Sequence, residues 1–213
     1  MPHVVLLGDS IFDNAAYTRG GPDVITQLKG LLPAGWRATL GAVDGAATED
    51  FAPQVARLPG DVTHIVVSLG GNDALGHVDL LDRRIRSSAE VLMALADAAG
   101  GFERRYRRAV ASIAKRGVPV VLCTIYNGNF PEAAFQRLAS TALAVFNDAI
   151  LRVAFEHGWP VIDLRLICNE AADYANPIEP SSIGGEKIAR AIIRALELPE
   201  SSSSVSRVIG APR

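Results

Sequence analysis

Cysteine is scarce in this chain. Cys123 and Cys168 are the only two, which excludes a disulfide framework and any metal-type pairing of closely spaced thiols. Histidine is scarce too, confined to His3, His64, His77 and His157, and no His/Cys/Asp spacing suggests a metal site. Charge is balanced: a net −2 gives no global basic field for nucleic acid or an anionic membrane. The one dense basic cluster, Arg104 to Arg108, lies inside a helical pattern and reads as a solvated helix face. No stretch approaches the roughly 20 apolar residues of a spanning helix. The first apolar run, Val4 to Leu7, is too short for the apolar core of a secretory signal, so the expected location is the cytoplasm. The Gly70-Gly71 pair lacks the third glycine and downstream acid of a dinucleotide fingerprint, and no other loop has phosphate-binding spacing. No cofactor is expected.

What is present is an alternation of strand and helix. At 213 residues the chain is long enough to bury a full core. Predicted strands are His3–Leu7, Trp36–Leu40, Thr63–Leu69, Pro119–Ile125 and Pro160–Leu164. Between them, helical spacing covers Asp23–Leu32, Thr48 to about Leu58, Arg83–Lys115 with a break expected at Gly100-Gly101, and Pro131–His157. Ser181 or Ser182 caps a last helix running to about Leu198. Five strand–helix repeats predict an α/β fold with a parallel sheet covered on both faces. One domain is expected over residues 1–198, with residues 199–213, rich in serine, as a solvated tail.

The polar residues cluster at one end of that plan. The first strand stops at Gly8-Asp9-Ser10, so Ser10 sits at a strand's carboxyl end, where open α/β sheets bind ligands. A serine there is a candidate nucleophile, although a turn serine can equally cap a helix. The loops after strands two and three leave the sheet at the same edge. Gly45 can present a bare backbone N–H there, and Asn72 a side-chain amide. Together with the Ser10 N–H these make a candidate oxyanion hole; alternatively the glycines serve only tight turns and Asn72 caps a helix.

In Gly8-Asp9-Ser10 with Ile11-Phe12-Asp13-Asn14, in Gly45, and in Gly70-Gly71-Asn72-Asp73, the chain resembles the SGNH/GDSL hydrolases. The resemblance runs from the first strand to about Ala195. It implies a three-layer α/β/α sandwich with a five-stranded, flavodoxin-like parallel sheet. It also implies ester or thioester cleavage through an acyl-serine, with Ser10 as nucleophile and the Ser10 N–H, Gly45 N–H and Asn72 as oxyanion donors.

The last block departs from that family, which usually carries Asp-x-x-His before the final helix. This chain has Asn176-Pro177-Ile178-Glu179. Four readings follow. Glu179 is the base, with its pKa raised by burial and Asn176 orienting it through a donated hydrogen bond. Or His77, the one histidine on the cleft side, is the base. Or no strong base exists and Ser10 acts weakly through the oxyanion hole. Or the cleft only binds an acyl or glycan ligand. Asp173 is a secondary candidate near Glu179, and Asp163 can hold Asn176 or Glu179 in place. Val91, Leu92, Met93 and Leu95 read as core or as a wall for an acyl chain. The expected partner is a small-molecule ester, cleaved by water or transferred to another acceptor. Acyl length and oligomeric state are left open by the sequence.

Overall fold

The computed structural model describes residues 1–84 and 86–196. The expected tail, 199–213, lies outside the described residues.

Five parallel strands form one sheet: β1 (His3–Gly8), β2 (Arg37–Leu40), β3 (His64–Ser68), β4 (Val120–Cys123) and β5 (Val161–Ile162), in the order β2-β1-β3-β4-β5. The three central strands, β1, β3 and β4, are buried on both faces almost throughout, so their residues are mostly apolar without alternation. Alternate side chains feed two separate cores. Val5 and Leu7 of β1 and Ile65 and Val67 of β3 face the first core, while Val4, Leu6 and Val66 face the second.

Helices α2 (Phe51–Ala56), α4 (Ser88–Ala114) and α5 (Ala133–His157) cover the first face. Helices α1 (Val24–Leu31), α6 (Leu164–Ile167) and α7 (Ser182–Ala195) cover the second. A short α3 (Gly71–Leu75) follows β3 directly. The chain goes from β1 out to β2 and then back past β1 to β3. The sheet therefore has its topological switch between β1 and β3, and the crevice at their carboxyl ends is the ligand-binding position of such folds.

Three sequence expectations are corrected. Helix α4 runs unbroken through Gly100 and Gly101, because Ala98, Phe102 and Tyr106, four residues apart on one face, are buried in the first core. Leu92 and Met93 are neither core nor wall; they stand exposed on α4, and Leu95 alone of that group reaches the first core and the pocket described below. Helix α5 is long and apolar enough to cross a membrane by length and composition, contrary to the expectation that no stretch is. In this fold its Phe146, Ile150 and Val153 are buried against the sheet.

Candidate active site

The first turn after β1 is built around a glycine that cannot be replaced. Gly8 has φ +131°, and a Cβ there would fall 1.7 Å from the Ser68 carbonyl oxygen. That closeness lets β1 and β3 approach at their ends, where the Asp9 N–H donates to Ser68 O at 3.1 Å. Gln54 of α2 secures the same residue from the other side. The Gly8 N–H donates to Gln54 Oε1 and Gln54 Nε2 donates to Gly8 O, both at 2.8 Å. The chain then turns, with the Phe12 and Asp13 N–H groups donating to Asp9 O, and Ser10 emerges nearly buried at the mouth of a pocket.

Ser10 Oγ donates to Glu179 Oε1 at 3.1 Å. The two residues are brought together by a tightly held loop before α7. Tyr174 and Pro180 pair as an antiparallel bridge, and the Ala175 N–H donates to Glu179 O. Tyr126 Oη donates to Ile178 O at 2.5 Å, the Asn129 N–H to Pro177 O at 2.8 Å, and Asn14 Nδ2 to Pro180 O at 3.2 Å. Asn14 also accepts from the Val24 N–H, so one buried amide joins the Ser10 segment, α1 and the Glu179 loop.

Glu179 is 6% exposed, and its Oε2 is buried without a hydrogen-bond partner among the described residues. Burial pushes its carboxyl up to about 7; the Asp44 charge adds to this, and the Ser10 hydrogen bond opposes it. Asp9 is likewise pushed up to about 7, chiefly by burial and further by the Glu179 and Asp73 charges, against the Ile11 N–H that donates to it.

Asn176 does not orient Glu179 as the sequence suggested. Its Oδ1 accepts from the Ile178 and Glu179 N–H groups, both at 2.9 Å. This is an Asx turn, which fixes the backbone that carries Glu179 rather than its carboxylate. Asp173 is corrected as well. Its carboxylate is fully buried, held by Lys187 Nζ at 2.8 Å and by the Asn169 and Glu170 N–H groups; it braces the start of α7. Asp163 accepts from Thr124 and pairs with Arg165, holding neither Asn176 nor Glu179. His77 lines the pocket, 6.0 Å between ring centroids from Phe146, and the Ser10 hydroxyl is given to Glu179 instead.

The two remaining loops meet each other, and Asn72 lines the same pocket as Ser10. Gly45 takes φ +77° in an exposed turn, a conformation open to glycine. Asn72 Nδ2 donates to Ala46 O at 3.0 Å, which draws the Gly45 loop onto the start of α3. Among the described residues no group of three or more His, Cys, Asp or Glu side chains is placed to hold a metal ion.

This arrangement has known relatives. Residues 6–184 match the GDSL-like lipase/acylhydrolase family. The chain belongs to that family. It is therefore a GDSL-type hydrolase of the carboxylic ester class. No curated protein matches it in sequence. Among solved structures, it is similar to an extracellular lipase from Streptomyces rimosus, with TM-score 0.66, 17% identity, and coverage of 92% of this chain and 100% of that one. It is also similar to a mutant of Axe2, an acetyl-xylooligosaccharide esterase from Geobacillus Stearmophilus, with TM-score 0.68, 19% identity, and coverage of 95% and 97%. A lipolytic G-D-S-L family member from Veillonella parvula aligns with TM-score 0.65, 15% identity, and coverage of 91% and 97%. At these identities the three likenesses establish the fold.

Two supports of this GDSL-type site escaped sequence reasoning. Gln54 carried no signal, because its partner Gly8 is 46 residues away. Asp73 stands in the third block, but its partner lies 25 residues away: it accepts from both the Thr48 N–H at 2.9 Å and Thr48 Oγ1 at 2.6 Å, tying the third block to the Gly45 loop. The Thr48 side chain is thereby committed to Asp73. Arg105 Nε lies 3.5 Å from Asp73, so one member of the basic cluster on α4 reaches inward while Tyr106 beside it is fully buried.

Proposed function

We propose that the protein hydrolyses small carboxylic esters through an acyl-serine, with Ser10 as nucleophile and Glu179 as general base. The observation that carries this reading is the 3.1 Å hydrogen bond from Ser10 Oγ to a carboxylate held near pKa 7. A general base works best when its pKa lies near the working pH, and an ordinary glutamate falls well short of that. Glu179 takes the Ser10 proton as Oγ bonds to the acyl carbon. The carbonyl electrons move onto oxygen, where the Ser10 N–H, the Gly45 N–H and Asn72 are the donors. Collapse breaks the bond to the alcohol oxygen, which leaves with the proton from Glu179. Water then attacks the acyl-serine, giving its proton to Glu179, and the acid departs as Ser10 recovers its hydrogen. The neighbours named as a lipase and an acetyl esterase support ester chemistry of this kind on the same fold.

The test is hydrolysis of p-nitrophenyl acetate across pH by wild type, Ser10→Ala, Glu179→Gln and His77→Ala. Glu179→Gln is expected to lose about 10²–10⁴-fold in kcat and Ser10→Ala to fall to background. Because the base must be deprotonated, the wild-type rate should rise with pH up to about 7 and level above it. Loss in His77→Ala with little loss in Glu179→Gln would transfer the role to His77. No difference between wild type and Ser10→Ala would leave a cleft that only binds.

A further inference from the structure

The pocket beside Ser10 is larger and more apolar than an acetyl group requires. It has a volume of about 120 Å³. Away from Ser10, Asn72 and Glu179 its walls are mainly hydrocarbon, among them Leu80, Leu95, Ile125, Phe130, and Phe135 and Phe146 of α5. The apolar path reaches the surface, because Leu75 and Val78 line the pocket and are also 39% and 45% exposed. On α5 the two residues between those phenylalanines that face the space without filling it are Ala139 and Ala142. Protein interiors are close-packed, and an apolar void is unfavourable unless something occupies it. A dry cavity of about 150 Å³ lined by Leu, Ile and Phe takes up benzene.

Resting on the Ser10 reading above, we propose that this pocket holds an unbranched apolar chain of about four to six carbons borne by the ester, a length scaled from that benzene-sized cavity. Ala139 and Ala142 determine its length by leaving α5 open. The chain belongs to the acyl group or to the alcohol; the chemistry recognised is the same.

Two substrate series distinguish those sources. One is p-nitrophenyl acetate, butanoate, hexanoate and decanoate; the other is methyl, butyl, hexyl and decyl acetate. Each is given to wild type, Ser10→Ala, Ala142→Phe and Ala139→Leu. In wild type, kcat/KM should climb about fourfold per added methylene from acetate to hexanoate and stop climbing by decanoate. A climb along the alkyl acetates with a flat acyl series supports the pocket and puts the chain on the alcohol. Ala142→Phe fills the space from a half-buried position and should bring the hexanoyl-to-acetyl ratio down towards one. Ala139→Leu should do the same from a deeper position, and the ratio is read within each variant, so a drop in folded yield does not imitate it. Ratios unchanged in both variants overturn the role of α5. Best turnover at the shortest member of each series, p-nitrophenyl acetate and methyl acetate, with Ser10→Ala inactive, overturns the chain-binding pocket and leaves the Ser10 mechanism standing. Activity that survives Ser10→Ala, or no turnover of any ester, overturns both.

Discussion

A glutamate in place of a histidine changes where the charge sits during the reaction. A neutral imidazole that accepts the serine proton becomes a cation beside the developing oxyanion. Glu179 instead begins as the anion and ends neutral, so the negative charge moves from its carboxylate to the substrate oxygen with no new cation next to it. More of the stabilisation then falls on the oxyanion donors. Asn72→Ala is accordingly expected to lower kcat by about 10²–10³-fold with a smaller change in KM, measured by steady-state hydrolysis of a p-nitrophenyl ester; an equal rise in KM with kcat intact would remove Asn72 from that role. The residue types at these positions were legible in the sequence. Which atom faces which partner was not: Asn176 has both a donor and an acceptor, and its identity does not say that the acceptor is committed to the Ile178 and Glu179 N–H groups.

At the scale of elements, the central strands and the principal helices were legible because each is a run of apolar residues or an apolar stripe of helical spacing. The expected break in α4 was not there, and the reason is energetic. Two glycines weaken a helix by about 1 kcal/mol each relative to alanine, whereas burying Phe102, Val110 and Ile113 completely stabilises by about 1.5–3 kcal/mol for each large apolar side chain. Packing wins over propensity. A Cβ on Gly101 would approach only the far ends of the Arg105 and Arg104 guanidinium groups, at 3.5 and 4.0 Å. Gly101→Ala is therefore expected to raise unfolding stability by about 0.5–1 kcal/mol, read as a higher urea midpoint at unchanged slope. A lower midpoint would show that the helix needs the glycine for packing. The braces of the site stayed illegible at this scale for a related reason. Gln54 meets Gly8, and Thr48 meets Asp73, across the interior from other elements, and no local pattern marks a pairing set by tertiary approach.

At the scale of the whole molecule, the strand order converts separate loops into one site. Parallel strands send every following loop to the same edge, which the sequence shows, but only the order β2-β1-β3 makes the loops after β2 and β3 the neighbours of the Ser10 turn. The same assembly buries carboxyl groups at that edge, and this reaches the stability of the fold. Glu179 is raised from an ordinary 4.5 to about 7, so between those values the folded state binds more protons than the unfolded one. By linkage its contribution to stability falls as pH rises through that window, and the full penalty is present above about 7. Asp9, raised from 3.8 to about 7, acts with the same sign. His3 and His64, held below 6.5 mainly by burial, act oppositely: the folded state resists their protonation, so their contribution falls as pH drops. The wild-type profile mixes these effects, and the difference between wild type and Glu179→Gln separates the Glu179 charge, with its push on Asp9, from the histidines. Glutamine keeps the shape and can still accept from Ser10, but it carries no buried charge. The variant should be more stable than wild type by about 1–3 kcal/mol at about pH 8, with the gap closing as pH falls towards about 5 and Glu179 becomes protonated in the wild type. Urea unfolding of both proteins at the two pH values measures this. An equal gap at both would mean that Glu179 does not titrate in this range, and the base assigned to Ser10 would lose its physical ground.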